Sequence, residues 1–175
     1  FSPWPFFTNE EANAVKNVLL SNKVNYWTGV ETRKFERDFS VWVNTKYSIA
    51  LMNGSVALEI ALKAIDIGIG DEVIVTPRSF IASASCVIST GATPVFVDVD
   101  KESGNLSIDS IFSALSSRTK AIICVHMAGW PCDMDLIMKL AEEHRLYVIE
   151  DCAQAHGGKY KGQSVGSIGH IGTWS

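Results

Sequence analysis

Residues 121–158 read AIICVHMAGWPCDMDLIMKLAEEHRLYVIEDCAQAHGG. The stretch opens on an apolar run, Ala121 to Val125, and a second run follows at Leu146 to Ile149. Between them, Met134 to His144 reads as a helix. Strand, helix, strand in this order is a βαβ unit, and its two strands should lie parallel. Both runs are continuous rather than alternating, as expected for strands with helices packed on both faces.

The alternation continues upstream. Tyr47 to Met52 reads as a strand and Ser55 to Ile65 as a helix with Leu58, Ile60, Leu62 and Ile65 apolar. Glu72 to Thr76 is a strand, Phe80 to Ser89 a helix and Pro94 to Val99 a strand. Ile108 to Leu115 is a helix capped by Ser107. The pattern predicts an α/β fold, a three-layer αβα arrangement on a mostly parallel mixed sheet. Residues 1–45 read differently, as an N-terminal helical segment. Thr8-Asn9-Glu10-Glu11 is a capping box opening a helix with Ala12, Val15, Val18 and Leu19 on one face. A second helix, about Glu31 to Val43, carries Phe35, Phe39, Trp42 and Val43 on one side. Residues 46–175 form the α/β domain. Beyond Asp151, Gly157 to Gly162 reads as a tight hairpin, and Gly169 to Ser175 as a strand after a glycine-rich loop. Ending in an apolar segment, the chain is expected to be a fragment, with that domain truncated at its C-terminal end.

Composition excludes several classes. With 47% hydrophobic residues the 175-residue chain can build a core, and a net charge of −4 leaves no basic field for nucleic acid. No apolar run reaches the roughly 18 residues of a membrane span. Phe1-Ser2-Pro3-Trp4-Pro5 lacks the layout of a signal peptide. The four cysteines, Cys86, Cys124, Cys132 and Cys152, form no C-x-x-C pair. They read as buried reduced thiols of a cytoplasmic protein. Cys124 with His126 is too small a set for zinc, so no metal site is expected. Gly68-Ile69-Gly70-Asp71 lies between a helix and the next strand, the wrong place for a dinucleotide fingerprint. There is no Walker A motif and no G-x-S-x-G elbow.

Ligands of open α/β sheets gather at the carboxyl ends of the strands. Asn53-Gly54-Ser55 there suits an anion, because glycine permits close backbone approach and a helix start offers free N–H groups. The same residues also suit an ordinary helix cap. Asp151 should stand at the rim of the sheet, where a half-buried carboxylate wants a cationic partner: a salt bridge, or a protonated pyridine nitrogen. Phe80 offers a flat face to a ring or a side chain to the core. His126 and His156 read as acid–base groups, ring contacts or structural histidines. Ser175 adds a hydroxyl at a strand end.

Taken in order, six pieces of the chain resemble the fold-type I, PLP-dependent sugar-nucleotide aminotransferases of the DegT family. They are Asn53 to Leu58; Gly70 to Val75; Phe80 to Ala84; Gly91 to Asp98; His126 to Met134; and Glu150 to Gly157. The resemblance implies the cofactor pyridoxal 5'-phosphate (PLP). Asp151 would pair with its pyridine nitrogen, Phe80 stack on its ring, and Gln154 approach its 3-oxygen. Gly54, Ser55 and Ser175 would hold its phosphate. The family's Schiff-base lysine would follow soon after the Ser175 position, so no catalytic residue is expected within these residues, and the chain alone should be inactive as a transaminase. Lys159 and Lys161, in the hairpin, are expected to be solvated. Ala128 stands where the family commonly has tyrosine. The implied activity is transfer of an amino group from glutamate to a nucleotide-linked keto-sugar, as in polysaccharide biosynthesis. Sugar 3-dehydratases that carry histidine in place of the lysine share the scaffold, and a non-catalytic PLP-binding fragment is the remaining alternative. The resemblance also implies a homodimer, for which Trp4, Phe6, Phe7, Tyr26 and Trp27 would serve either as an interface or as packing on their own domain.

Overall fold

A computed structural model describes residues 5–175; Trp4 of the aromatic stretch lies outside the described residues. The chain separates into two compact units: the described residues through Trp42 with Lys46–Ala50, and Val43–Thr45 with Leu51–Ser175.

In the first unit α1 (Asn9–Leu20) starts at the expected capping box. The Thr8 hydroxyl accepts the Glu11 N–H, and the Glu11 carboxylate accepts the Thr8 N–H. No residue of α1 is buried, and Val15 and Leu19 of its apolar face are exposed. Along α2 (Glu31–Val43) the rings of Phe35, Phe39 and Trp42 pack in series, with centroids 5.5 and 5.3 Å apart. The strand expected at Tyr47 to Met52 is not formed. Its backbone turns to α2 instead of to another strand: Ala50 N–H donates to Glu36 Oε1 at 2.9 Å, and the Ser48 hydroxyl donates to the Glu36 carbonyl. Tyr47, Ile49 and Met52 are exposed, so the apolar run that mimicked a buried strand buries little.

The second unit holds the sheet. Its elements are α3 (Gly54–Ala64), β1 (Glu72–Val75), α4 (Ala82–Ser89), β2 (Thr93–Phe96), α5 (Ile108–Ala114), β3 (Thr119–Val125), α6 (Met134–His144), β4 (Tyr147–Asp151), β5 (Lys159–Tyr160), β6 (Gln163–Ser164) and β7 (Ile171–Thr173). Five strands pair in the order β2-β1-β3-β4-β7, every pair parallel. The side chains of the three central strands, β1, β3 and β4, divide between two cores. Val73, Val75, Ile123 and Ile149 join Leu58 and Leu62 of α3 and Val87 of α4. Ile74, Ile122 and Val148 join Ile111 of α5 and Ile137 of α6. Alternation along a strand sends successive side chains to opposite faces, so a strand covered on both sides is apolar along most of its length. Each fully buried aliphatic side chain contributes about 1.5–3 kcal/mol. The predicted parallel αβα architecture is thus present. β5 and β6 form the expected hairpin apart from the main sheet. Its two-residue turn, Lys161-Gly162, has positive φ at both positions (49° and 88°), the type I′ geometry that favours glycine.

Candidate functional site

The tip of β4 is tied on both sides. Asp151 lies in register with Val125 of β3 and Thr173 of β7. The His126 N–H donates to the Asp151 carbonyl (3.1 Å), and the Cys152 N–H to the Thr173 carbonyl (2.8 Å). Glu150 and Asp151, being consecutive, point to opposite faces of the sheet.

The Asp151 carboxylate is buried at 7% exposure. Its Oδ2 accepts the Ser83 hydroxyl at 2.7 Å and its Oδ1 the Ala153 N–H at 3.2 Å. Among the described residues it forms no ion pair. One turn along α4 from Ser83, the Cys86 thiol is pushed up to about 12, first by burial and then by the negative charge of Asp151. Ser83 lies within the Phe80 to Ala84 piece, but nothing in the sequence linked it to Asp151, 68 residues away.

On the other face, Glu150 is fully buried and accepts four donors: His126 Nε2 (2.9 Å) and the N–H groups of Gly166 (2.8 Å), Ile168 (2.8 Å) and Gly169 (2.6 Å). Burial alone would raise its pKa, but the bonds from His126 and the Gly166 and Gly169 amides outweigh burial and lower it. The Cys132 N–H donates to His126 Nδ1, which leaves the ring proton on Nε2, facing Glu150. His126, Glu150 and Cys152 bring potential metal ligands within 4.8 Å of one another. Yet the histidine and carboxylate donor atoms are already spent on protein partners, so His126 takes the structural role.

At the far strand, β7 brings Ser175 against the start of α3. A Cβ built on Gly54 would lie 2.7 Å from the Ser175 Cβ and 3.2 Å from its hydroxyl, closer than two carbons can approach. Glycine is therefore what lets the helix start and the strand end meet. Asn53 caps α3, its side chain accepting the Val56 N–H and its carbonyl the Ala57 N–H. The Gly54 and Ser55 amides are the orphan donors of that helix. Ser55 is exposed beside them.

Phe80 is 67% exposed on the β1–α4 connection, so it is no core residue. Gln154, also exposed, accepts the Ala128 N–H on its side-chain oxygen at 2.9 Å, which leaves its amide nitrogen as the outward donor. Ala128 adopts the left-handed conformation to do so (φ 51°, ψ 28°). His156 is exposed and meets Trp174 edge-on, centroids 5.1 Å apart. Lys159 and Lys161 are exposed on the hairpin, and Lys161 pairs with Asp135.

The sequence pattern of the DegT/DnrJ/EryC1/StrS aminotransferase family matches residues 5–175. The chain belongs to this family. The resemblance drawn from the sequence is therefore borne out along nearly the whole chain. Among curated DegT-family relatives, GDP-perosamine synthase of Escherichia coli O157:H7 is 45% identical over 175 residues, covering 98% of this chain and 47% of the relative. The dTDP-3-amino-3,6-dideoxy-alpha-D-galactopyranose transaminase of Aneurinibacillus thermoaerophilus is 43% identical, covering 97% of this chain and 46% of the relative. The solved aminotransferase from Psychrobacter cryohalolentis superposes with a TM-score of 0.98 at 66% identity, covering all of this chain and 44% of that one. A Streptococcus pneumoniae relative solved in its PLP form gives a TM-score of 0.91 at 33% identity, over 100% of this chain and 48% of that one. The chain thus spans somewhat less than half the length of these relatives.

Proposed function

We propose that the full-length protein is a PLP-dependent aminotransferase that moves an amino group, from glutamate, to a nucleotide-linked keto-sugar. The observation that carries this reading is the contact chain along the carboxyl ends of the strands. Ser83 links the Phe80 loop to Asp151, and Asp151 pairs with Thr173 on the strand whose end, Ser175, touches Gly54.

The residues fit the cofactor by their chemistry. Asp151, buried and with both oxygens already held by donors, suits a protonated ring nitrogen. The orphan amides of Gly54 and Ser55, with the hydroxyls of Ser55 and Ser175, suit a phosphate at a positive helix end. The exposed face of Phe80 suits a stacked ring, and the Gln154 amide nitrogen suits the 3-oxygen. When bound, PLP supplies an electron-withdrawing ring that makes amino-group exchange possible. The chain's own part is to hold the proton on the ring nitrogen through Asp151, to orient the ring through Phe80 and Gln154, and to anchor its phosphate. The acid–base lysine is assigned to a position beyond Ser175, and Lys159 and Lys161 to solvated roles. The names of the two sugar-modifying relatives support the substrate class. The buried free thiols of all four cysteines support a cytoplasmic location. The exposed aromatics Phe6, Phe7 and Trp27 support a homodimer interface.

The test is an amino-transfer assay of the full-length protein with glutamate and nucleotide keto-sugars, with PLP binding measured alongside. Turnover that disappears in Asp151→Ala supports the reading. Undiminished turnover in that variant overturns it.

A further inference from the structure

Ser83 is 1% exposed and sits in the first turn of α4. Its single hydroxyl proton goes to Asp151 Oδ2. Its oxygen lies 2.6 Å from the Ser79 oxygen, and because the Ser83 proton is already spent, Ser79 is the donor of that pair. The result is a one-way chain, Ser79 to Ser83 to Asp151. Ser79 directly precedes Phe80, and the Ser83 N–H donates to the Phe80 carbonyl at 3.1 Å. One residue therefore grips the carboxylate with its side chain and the Phe80 loop with its backbone and, through Ser79, with its hydroxyl oxygen.

Packing does not call for this hydroxyl. The flanking residues of the helix, Ala82 and Ala84, are buried with methyl groups alone. A buried hydroxyl is costly unless it is bonded, and here both its proton and its oxygen are used. Ser83 fixes Oδ2 as the Ala153 N–H fixes Oδ1, so the carboxylate is held in one orientation about its last torsion.

We infer that Ser83 is a positioning residue that aims Asp151 at the ring nitrogen of the cofactor. This rests on the proposed function and adds a consequence to it. A fixed carboxylate distinguishes a ring that carries N–H⁺ from one that carries C–H, so Ser83 should matter for the first kind of ligand only.

The experiment measures dissociation constants in the full-length protein for PLP and for a PLP analogue with C–H in place of the ring nitrogen. Ser83→Ala should weaken PLP roughly tenfold, the scale of one charge-assisted hydrogen bond, and change the analogue by less than about twofold. Ser83→Thr, which keeps the hydroxyl, should restore discrimination between the two ligands. If Ser83→Ala does not fold, Ser83→Cys carries the same comparison, since it keeps the volume but donates weakly. Equal weakening of both ligands, or of neither, overturns the role of Ser83. Asp151→Ala separates the two levels. If it treats both ligands alike, the ring-nitrogen contact itself fails; if it is selective while the Ser83 variants are not, only the role of Ser83 falls.

Discussion

Glu150 and Asp151 are neighbours on one strand, both acidic and both buried, yet their surroundings differ in kind. Glu150 faces four donors supplied by the protein itself, three of them backbone amides of the Gly166 to Gly169 segment that leads into β7. Asp151 faces a serine hydroxyl and one amide, with no ion pair among the described residues. The first carboxylate is satisfied by the fold and holds a loop in place. The second is oriented by the fold and still suited to a cation from outside. The contrast shows that burial of an acid does not by itself mark a binding site; what marks it is a carboxylate aimed but not neutralised.

The strongest way to probe the closed side is Glu150→Ala. Removing a buried carboxylate and stranding its donors should cost about 3–5 kcal/mol, read as a fall in the denaturant midpoint of the full-length protein. A loss below about 1 kcal/mol would mean the cluster is ornamental. Its pH signature has a definite sign. The folded-state pKa of Glu150 is lowered, so its contribution is complete above the unfolded value of about 4.3 and fades as pH falls through the folded value. Glu150→Gln should flatten that acid limb of the stability curve.

On the open side, Gly54→Ala comes next. The added methyl must push Ser175 and the α3 start apart, at about 1–3 kcal/mol of stability and with weaker phosphate anchoring. An alanine variant with unchanged stability and unchanged PLP affinity would contradict the close approach. Ser55→Ala is smaller: loss of one hydrogen bond to the phosphate, about 1.5 kcal/mol, should raise the PLP dissociation constant roughly tenfold. No change would leave Ser55 as a helix residue alone. The smallest effect belongs to Lys161→Ala. The Lys161–Asp135 pair is exposed, so stability should stay within about 0.5 kcal/mol and PLP binding should not move.

The sheet was readable in the sequence because its central strands are covered on both faces and so carry continuous apolar runs. The same reasoning misread Tyr47 to Met52, where a short apolar run carries no information about whether its backbone will find a strand or, as here, the side chain of Glu36. Asp151 could be placed at the rim because it closes the run that Tyr147, Val148, Ile149 and Glu150 make. Ser83 could not be found, since one serine among the three of α4 has no spacing that points to a carboxylate 68 residues away. The partners of Glu150 were hidden for a different reason. Three of them are backbone N–H groups, which every residue but proline possesses and no motif records.

Asp151 is proposed to hold a proton on the pyridine nitrogen of bound PLP. Nitrogen-15 NMR of ring-labelled PLP in the full-length protein reads that proton directly. A pyridinium signal is expected at neutral pH, shifting to the neutral-pyridine position in Asp151→Asn. A neutral-pyridine signal in the unmodified protein, or a pyridinium signal untouched by the substitution, would contradict it.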